Sequence, residues 1–254
     1  MAWTEKDIPD LSGRTAVVTG GNGGLGFQTA LALAGAGAHV VVAARDPEKT
    51  AAATARIRER YPAASLEVVP LDLGDLAVVQ AAADTVLAAH ERIDLLVNNA
   101  GVMTLAPIAE SDDALFDRQV AVNLKGTFNT LREAGPRLRD GGRIVNLSTS
   151  VVSTRLETYG VYAATKAAVE TLTAILAKEL RGRSITVNAV APGPIATDLF
   201  LEGKSPELVD RIAKTNPFGR LGTPEEIAAV VAFLAGPDGG WVNGQVLRAN
   251  GGMV

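Results

Sequence analysis

Tyr162 and Lys166 stand four residues apart in the run Tyr159-Gly-Val-Tyr-Ala-Ala-Thr-Lys166. The stretch from Val161 to Leu180 is apolar and built of good helix formers, so both side chains project from one helix face. A free tyrosine has a pKa of about 10 and is a poor acid–base group near neutral pH. An ammonium group held nearby favours the phenolate and draws that pKa toward the working range. A pair of this kind can move a proton. The competing reading of the same spacing is a tyrosine that packs and a lysine that is solvated. Tyr159 is no rival for Tyr162, because the residue four positions on from it is Ala163.

A second motif lies far upstream, in Thr19-Gly20-Gly21-Asn22-Gly23-Gly24-Leu25-Gly26. It follows the β-branched run Thr15 to Thr19, which reads as a buried parallel strand. After it comes Phe27 to Ala34, a helix closed by Gly35 and Gly37. His39 to Ala44 supplies the next strand. A glycine-rich turn at a helix start lets backbone N–H groups approach a pyrophosphate, and the helix dipole adds to the attraction. Glycines alone often mark only a turn; between a strand and a helix they predict a dinucleotide site.

The spacing Gly20-x3-Gly24-x-Gly26, taken with Tyr162-x3-Lys166, resembles the short-chain dehydrogenase/reductase family over nearly the whole chain. Further matches stand in order: Asn98-Asn-Ala-Gly101 after a strand Ile93 to Val97, and Asn123 in Val122-Asn-Leu-Lys-Gly126. Ser148-Thr-Ser150 follows a strand Arg143 to Leu147, Pro192-Gly193 follows Ile185 to Val190, and Asn243-Gly-Gln-Val-Leu247 precedes Asn250-Gly-Gly252. From Trp3 to about Met103 the text resembles retinol-dehydrogenase-like members. From Thr104 onward it resembles bacterial 3-oxoacyl-carrier-protein reductases.

The resemblance implies hydride transfer between a nicotinamide and a carbonyl or secondary alcohol. Tyr162 is then the proton donor, with Lys166 lowering its pKa and holding the nicotinamide ribose. A serine hydroxyl stabilises the developing oxyanion, and Asn123 supports a water relay that returns a proton to Lys166. Implied cofactor contacts are Gly20, Asn22, Gly24, Leu25, Gly26, Asp72, Leu73, Asn99, Ala100, Gly101, Pro192, Gly193 and Thr197, beside Tyr162 and Lys166. The family serine usually stands about thirteen residues before the tyrosine, a position held here by Thr149, with Ser150 twelve before and Ser148 fourteen. Ser150-Val-Val-Ser153 resembles the family's serine and following turn, so Ser150 is taken as the hydroxyl, with a loop one residue shorter.

In such folds the residue ending the second strand selects the cofactor: a carboxylate there binds ribose hydroxyls and repels a 2′-phosphate. Here Ala44 ends the strand and Arg45 follows, a guanidinium well suited to a phosphate. NADP(H) is therefore expected over NAD(H). Arg45 could instead pair with Asp46 or cap the helix near Pro47. Gly23 is not basic, so a second phosphate contact is missing there.

The 254 residues are 47% hydrophobic and show no linker or repeat, which predicts one domain over 1–254. Strands alternating with helices predict an α/β, doubly wound, mostly parallel sheet; the resemblance implies a single-domain Rossmann fold with seven strands. A net charge of −4 disfavours nucleic acid. The polar start Met1 to Asp10 lacks a signal-peptide core, no stretch reads as a membrane span, and cysteine is absent, so a cytoplasmic enzyme is expected. His39 and His90 show no metal-ligand spacing, and no metal is expected in catalysis. The segment 195–217, around a helix Pro206 to Ala213, is expected to be a substrate lid, with residues 154–161 lining the pocket. Charged Arg155 and Glu157 beside Leu156 leave the lining without a clear substrate signature.

The reading is an NADPH-dependent reductase of a ketone, a 3-oxoacyl thioester or similar carbonyl. The alternatives are an NAD-dependent secondary-alcohol or sugar dehydrogenase, and a silent cofactor-binding regulator. The resemblance further implies a homotetramer or homodimer paired through long helices such as Ala163 to Leu180.

Overall fold

Strand β1 (Thr15–Thr19) forms where a β-branched run can be buried on both faces, and it sits in the interior of the sheet. The computed structural model describes residues 7–254, so the first six residues, including Trp3 and most of the polar start, lie outside the described residues. Around β1 the chain builds β2 (His39–Ala44), β3 (Leu66–Pro70), β4 (Ile93–Asn98), β5 (Leu138–Leu147), β6 (Thr186–Pro192) and β7 (Val246–Ala249). These form one seven-stranded sheet in the order β3-β2-β1-β4-β5-β6-β7, with every pairing parallel.

Parallel strands require crossovers, and the helices that supply them cover both faces. On one face α1 (Gly24–Gly35), α2 (Pro47–Arg60) and α10 (Pro224–Ala235) bury Leu33, Ile57, Val231 and Leu234 against Val18, Val40 and Val97. On the other, α3 (Leu76–Ala89), α5 (Thr127–Arg137) and α7 (Gly160–Glu179) bury Val79, Leu131 and Leu176 against Val41, Leu96 and Ile144. α10 starts on a capping box in which Thr223 and Glu226 satisfy each other's backbone N–H. No helix among the described residues is long and apolar enough to cross a membrane.

β5 begins at Leu138, five residues before the expected Arg143. Polar Arg139-Asp-Gly-Gly142 hides the strand in the sequence. Leu138 nonetheless pairs with Ile93 and is 1% exposed, and the register shifts between Ile93 and Leu95 to absorb the extra residues. Arg139 donates to the buried carboxylate of Asp94 at 2.8 Å, and the same carboxylate takes the N–H of Thr15, joining β4 to β1.

Chain direction reverses its march across the sheet between β1 and β4. At the carboxyl ends of those two strands the loops part and leave a crevice, the place where open α/β sheets bind ligands.

Candidate active site

The crevice is built first from glycine geometry. Gly20 leaves β1 with φ +65, a left-handed conformation that a side chain would strain. A Cβ on Gly26 would stand 2.2 Å from the Gly20 carbonyl oxygen and 2.3 Å from Asn99 Nδ2, so only glycine lets α1 start this close to β1. Asn99 Nδ2 donates to the carbonyls of Thr19 and Gly20, and Thr19 Oγ1 accepts from the N–H groups of Asn99 and Ala100. Asn22 spends its amide on Thr50 Oγ1 at 3.1 Å. The first turn of α1 has Gly23 as N-cap, no capping side chain and no acid, so its N–H groups and dipole face the crevice uncompensated. The residues present thus fit a pyrophosphate.

Arg45 and Lys49 line the far end of the crevice. Their charged heads make no hydrogen bond or ion pair among the described residues, because Asp46 is occupied as the N-cap of α2, accepting from Lys49 N at 3.0 Å. Arg45 therefore neither pairs with Asp46 nor caps the helix. Sequence reading passed over Lys49, which lies in the first turn of α2 and lines the crevice with Arg45. Asp72 lines the same end and accepts from Gly74 N at 2.9 Å. The whole crevice holds about 1550 Å³ of empty space, counting open solvent, and takes in Gly20, Gly24, Leu25, Leu73, Ala100, Gly101, Thr197, Tyr162 and Lys166.

Tyr162 and Lys166 sit in the first turns of α7, where the crevice meets β5. Lys166 is 4% exposed and donates to the Leu147 carbonyl at 2.7 Å. With no carboxylate partner, burial pulls its pKa down to about 8. Burial likewise pushes the Tyr162 phenol up to about 12, Tyr159 adds to this, and a hydrogen bond with the Thr149 side chain pulls part of it back. Against the expectation that Lys166 lowers it, the Tyr162 pKa lies above its ordinary value, with burial the largest cause.

The hydroxyls that follow β5 differ in their partners. Ser150 is 2% exposed, and its Oγ donates to the Ala191 carbonyl at 3.1 Å and accepts from Asn250 Nδ2 at 2.9 Å. Ser148 donates to Glu170 Oε1 at 2.6 Å. Thr149, between them, draws the phenol's pKa down in part, and all three residues line the pocket that Tyr162 borders. Ser150 is thus a strut that ties the carboxyl end of β6 to the C-terminal tail.

Asn123 lies in a π-helical segment, Val120–Gly126, between α4 (Asp113–Gln119) and α5. Its side-chain amide donates to the Val102 carbonyl and accepts from the Val102 N–H, both at 2.8 Å, and it is fully buried. A Cβ on Gly101 would approach Asn123 Oδ1 at 3.3 Å and Lys166 Nζ at 3.5 Å, so these two groups share one corner. Pro192 accepts from Ser150 N, and Gly193 lies so close to Asn250 that a Cβ there would stand 2.9 Å from the Asn250 Cα. Thr197 caps α8 (Asp198–Leu201), a short helix that the sequence reading of the 195–217 segment did not separate.

Beyond the phenol the crevice opens into a mostly apolar pocket of about 1170 Å³, lined among others by Met103, Val151, Leu156, Tyr159, Leu199, Phe200, Ile212 and Met253. Residues 195–217 supply one wall through α8 and α9 (Pro206–Ala213). Leu156 faces the pocket whereas Arg155 and Glu157 do not line it, and Arg211 is its sole charged lining residue. Tyr162 and Thr197 border both this pocket and the dinucleotide crevice.

A doubly wound sheet with this glycine turn, and a tyrosine–lysine pair at its switch point, defines a nucleotide-dependent oxidoreductase. A family profile described as Enoyl-(Acyl carrier protein) reductase matches residues 20–254. A short-chain type dehydrogenase/reductase of Picea abies is 44% identical, over 96% of this chain and 93% of its own. An NADPH-dependent aldehyde reductase-like chloroplastic protein of Arabidopsis thaliana is 42% identical, over 96% of this chain and 95% of its own. Among solved structures, a short-chain dehydrogenase from Burkholderia cenocepacia J2315 in complex with NADP superposes with a TM-score of 0.89 at 32% identity, covering 96% of this chain and 99% of that one. The chain belongs to the short-chain dehydrogenase/reductase family. Each of these relatives matches across both halves of the chain.

Proposed function

We propose that the protein is an NADPH-dependent carbonyl reductase acting on ketones or aldehydes that carry an apolar substituent. The observation that carries the reading is that Tyr162 lies on the shared border between a dinucleotide crevice and an apolar pocket. Arg45 and Lys49, both unpartnered, supply two cations where an adenosine 2′-phosphate belongs, and Ala44 brings no carboxylate to repel it. The relatives named for NADPH and NADP support the same choice.

NADPH, when bound, supplies the hydride that adds to the carbonyl carbon. A phenol with a pKa near 12 stays protonated through the neutral range, so Tyr162 holds the proton that the carbonyl oxygen takes as the C=O bond becomes C–O–H. Thr149, which lines the pocket beside that phenol, would offer its hydroxyl to the developing oxyanion. Lys166, titrating near 8, is a proton source matched to restoring the phenol. It keeps N–H donors beyond the one given to Leu147 for ribose hydroxyls. Asn123 fixes the backbone beside Lys166, positioning the path by which water returns the proton.

An apolar wall suits an acyl or alkyl chain beside the carbonyl, and Arg211 offers a guanidinium to an anionic tail, features that a 3-oxoacyl thioester combines. Pairing of copies through α5 and α7 belongs to the same proposal, supported by exposed Phe128 and Ile175 on those helices. The test is a panel of aldehydes, ketones, β-ketoesters and 3-oxoacyl thioesters, read as loss of NADPH absorbance, with Tyr162→Phe alongside. Turnover should fall by roughly 10²–10⁴-fold in the variant. Equal rates for the two proteins would dismiss the assignment.

A further inference from the structure

The chain contains two histidines and no cysteine. The fold brings both histidines together with one glutamate, although His39 and His90 lie far apart in the sequence. His39 opens β2, Glu67 lies in β3, and His90 follows the last turn of α3. β3 pairs with β2 so that Glu67 faces Val41, two residues along the strand from His39 and on the same side of the sheet. The crossover through α3 then returns His90 to the same edge. The imidazole centroids are 4.6 Å apart.

Three ligand atoms, one from each residue, lie within 4.8 Å of one another. Glu67 Oε2 is 2.6 Å from His90 Nε2 and 3.5 Å from His39 Nε2. Donors about 2.1 Å from a tetrahedral metal stand about 3.4 Å from each other, so the trio needs shifts of an ångström or less to close on an ion. The other ring nitrogen of His39, Nδ1, lies 2.7 Å from Ser65 Oγ. With the Nδ1 proton assigned to that bond, the lone pair of Nε2 is directed at the glutamate. His39 Nε2 is shielded from solvent and has no hydrogen-bond partner among the described residues. A second-sphere hydroxyl that fixes the tautomer and leaves Nε2 free is the arrangement of a metal-bound imidazole. The side chains of all three residues remain partly exposed, so a water can complete the coordination.

We propose that His39, Glu67 and His90 form a binding site for a divalent cation of the zinc class, separate from the reductase site. Two imidazoles and one carboxylate suit zinc or cobalt over magnesium or calcium. Binding replaces the proton between His90 and Glu67, which leaves to solvent. β2 separates this site from the nucleotide crevice: His39 starts the strand and Ala44 ends it, about 17 Å away along an extended chain. The ion would clip the sheet's edge strand β3 to β2 and to the end of α3, a structural role.

The experiment uses tag-free, chelator-treated full-length protein titrated with Co²⁺ and read by the visible absorption of tetrahedral cobalt. Thermal unfolding with and without Zn²⁺ runs in parallel. Wild-type protein should take up one equivalent per chain and unfold at higher temperature with Zn²⁺. His90→Gln, which keeps an amide donor for Glu67, should bind at least tenfold more weakly and lose the thermal response while retaining NADPH turnover. Glu67→Gln provides the same comparison should the first variant fold poorly. No cobalt spectrum in the wild type, or equal binding by a folded variant, would reduce the trio to a hydrogen-bonded cluster.

Discussion

Replacing Lys166 with methionine should make the protein more stable while disabling it. Lys166 is 4% exposed, faces no carboxylate and has its pKa lowered from 10.5 to about 8 by burial. Folded protein therefore releases this proton near pH 8, whereas the unfolded chain keeps it to about 10.5. Between those values the unfolded state binds more protons, so stability rises with pH; below 8 the penalty is present in full. At 1.36 kcal/mol per unit, that penalty is about 3 kcal/mol at pH 7. Methionine removes it but leaves the Leu147 carbonyl without its donor, at a cost of about 1 kcal/mol. The expected net gain is about 2 kcal/mol at pH 7. By pH 9.5 the wild-type lysine is mostly neutral when folded, and the advantage should shrink to a few tenths of a kcal/mol on the same linkage. Urea unfolding of both proteins at the two pH values measures this, and NADPH turnover should be abolished in the variant. A variant no more stable than wild type at pH 7, or an advantage that ignores pH, would refute the picture of an uncompensated buried ammonium.

Two further perturbations separate neighbouring roles. Thr149→Ala should lower turnover at nearly unchanged stability. Ser150→Ala should cost about 1–3 kcal/mol in urea unfolding, because it strands Asn250 Nδ2 and the Ala191 carbonyl; a larger turnover loss for Ser150→Ala than for Thr149→Ala would restore Ser150. Ala44→Asp combined with Arg45→Ala places a carboxylate where the 2′-phosphate belongs and removes one of two cations. Initial rates should move toward NADH by at least tenfold, and an unchanged NADPH preference would remove Arg45 from the cofactor site.

Local chemistry was legible in the residues. The strand–glycine–helix order and the spacing of Tyr162 and Lys166 each occupy a few consecutive positions, where backbone geometry leaves few alternatives, so these elements fell where the spacing put them. Ala44 and Arg45 were legible for the same reason. Lys49 was missed because it lies in the first turn of α2 and reaches the crevice only through the fold. The start of β5 was hidden because a strand can carry polar Arg139 when a buried partner, Asp94, waits across the sheet.

What the chain alone determined is therefore the set of short-range pieces: a glycine turn between strand and helix, a helix face carrying Tyr162 and Lys166, a parallel α/β sheet. Tertiary structure decided how those pieces feel one another. Burial drives Tyr162 up and Lys166 down, a result set by excluded water rather than by spacing. Asn250, 100 residues away, donates to Ser150 and holds it against the C-terminal tail. Crossovers of the sheet bring His39, Glu67 and His90 into one cluster. Desolvation and long-range contact depend on which distant residues the fold packs together, and no local spacing encodes them.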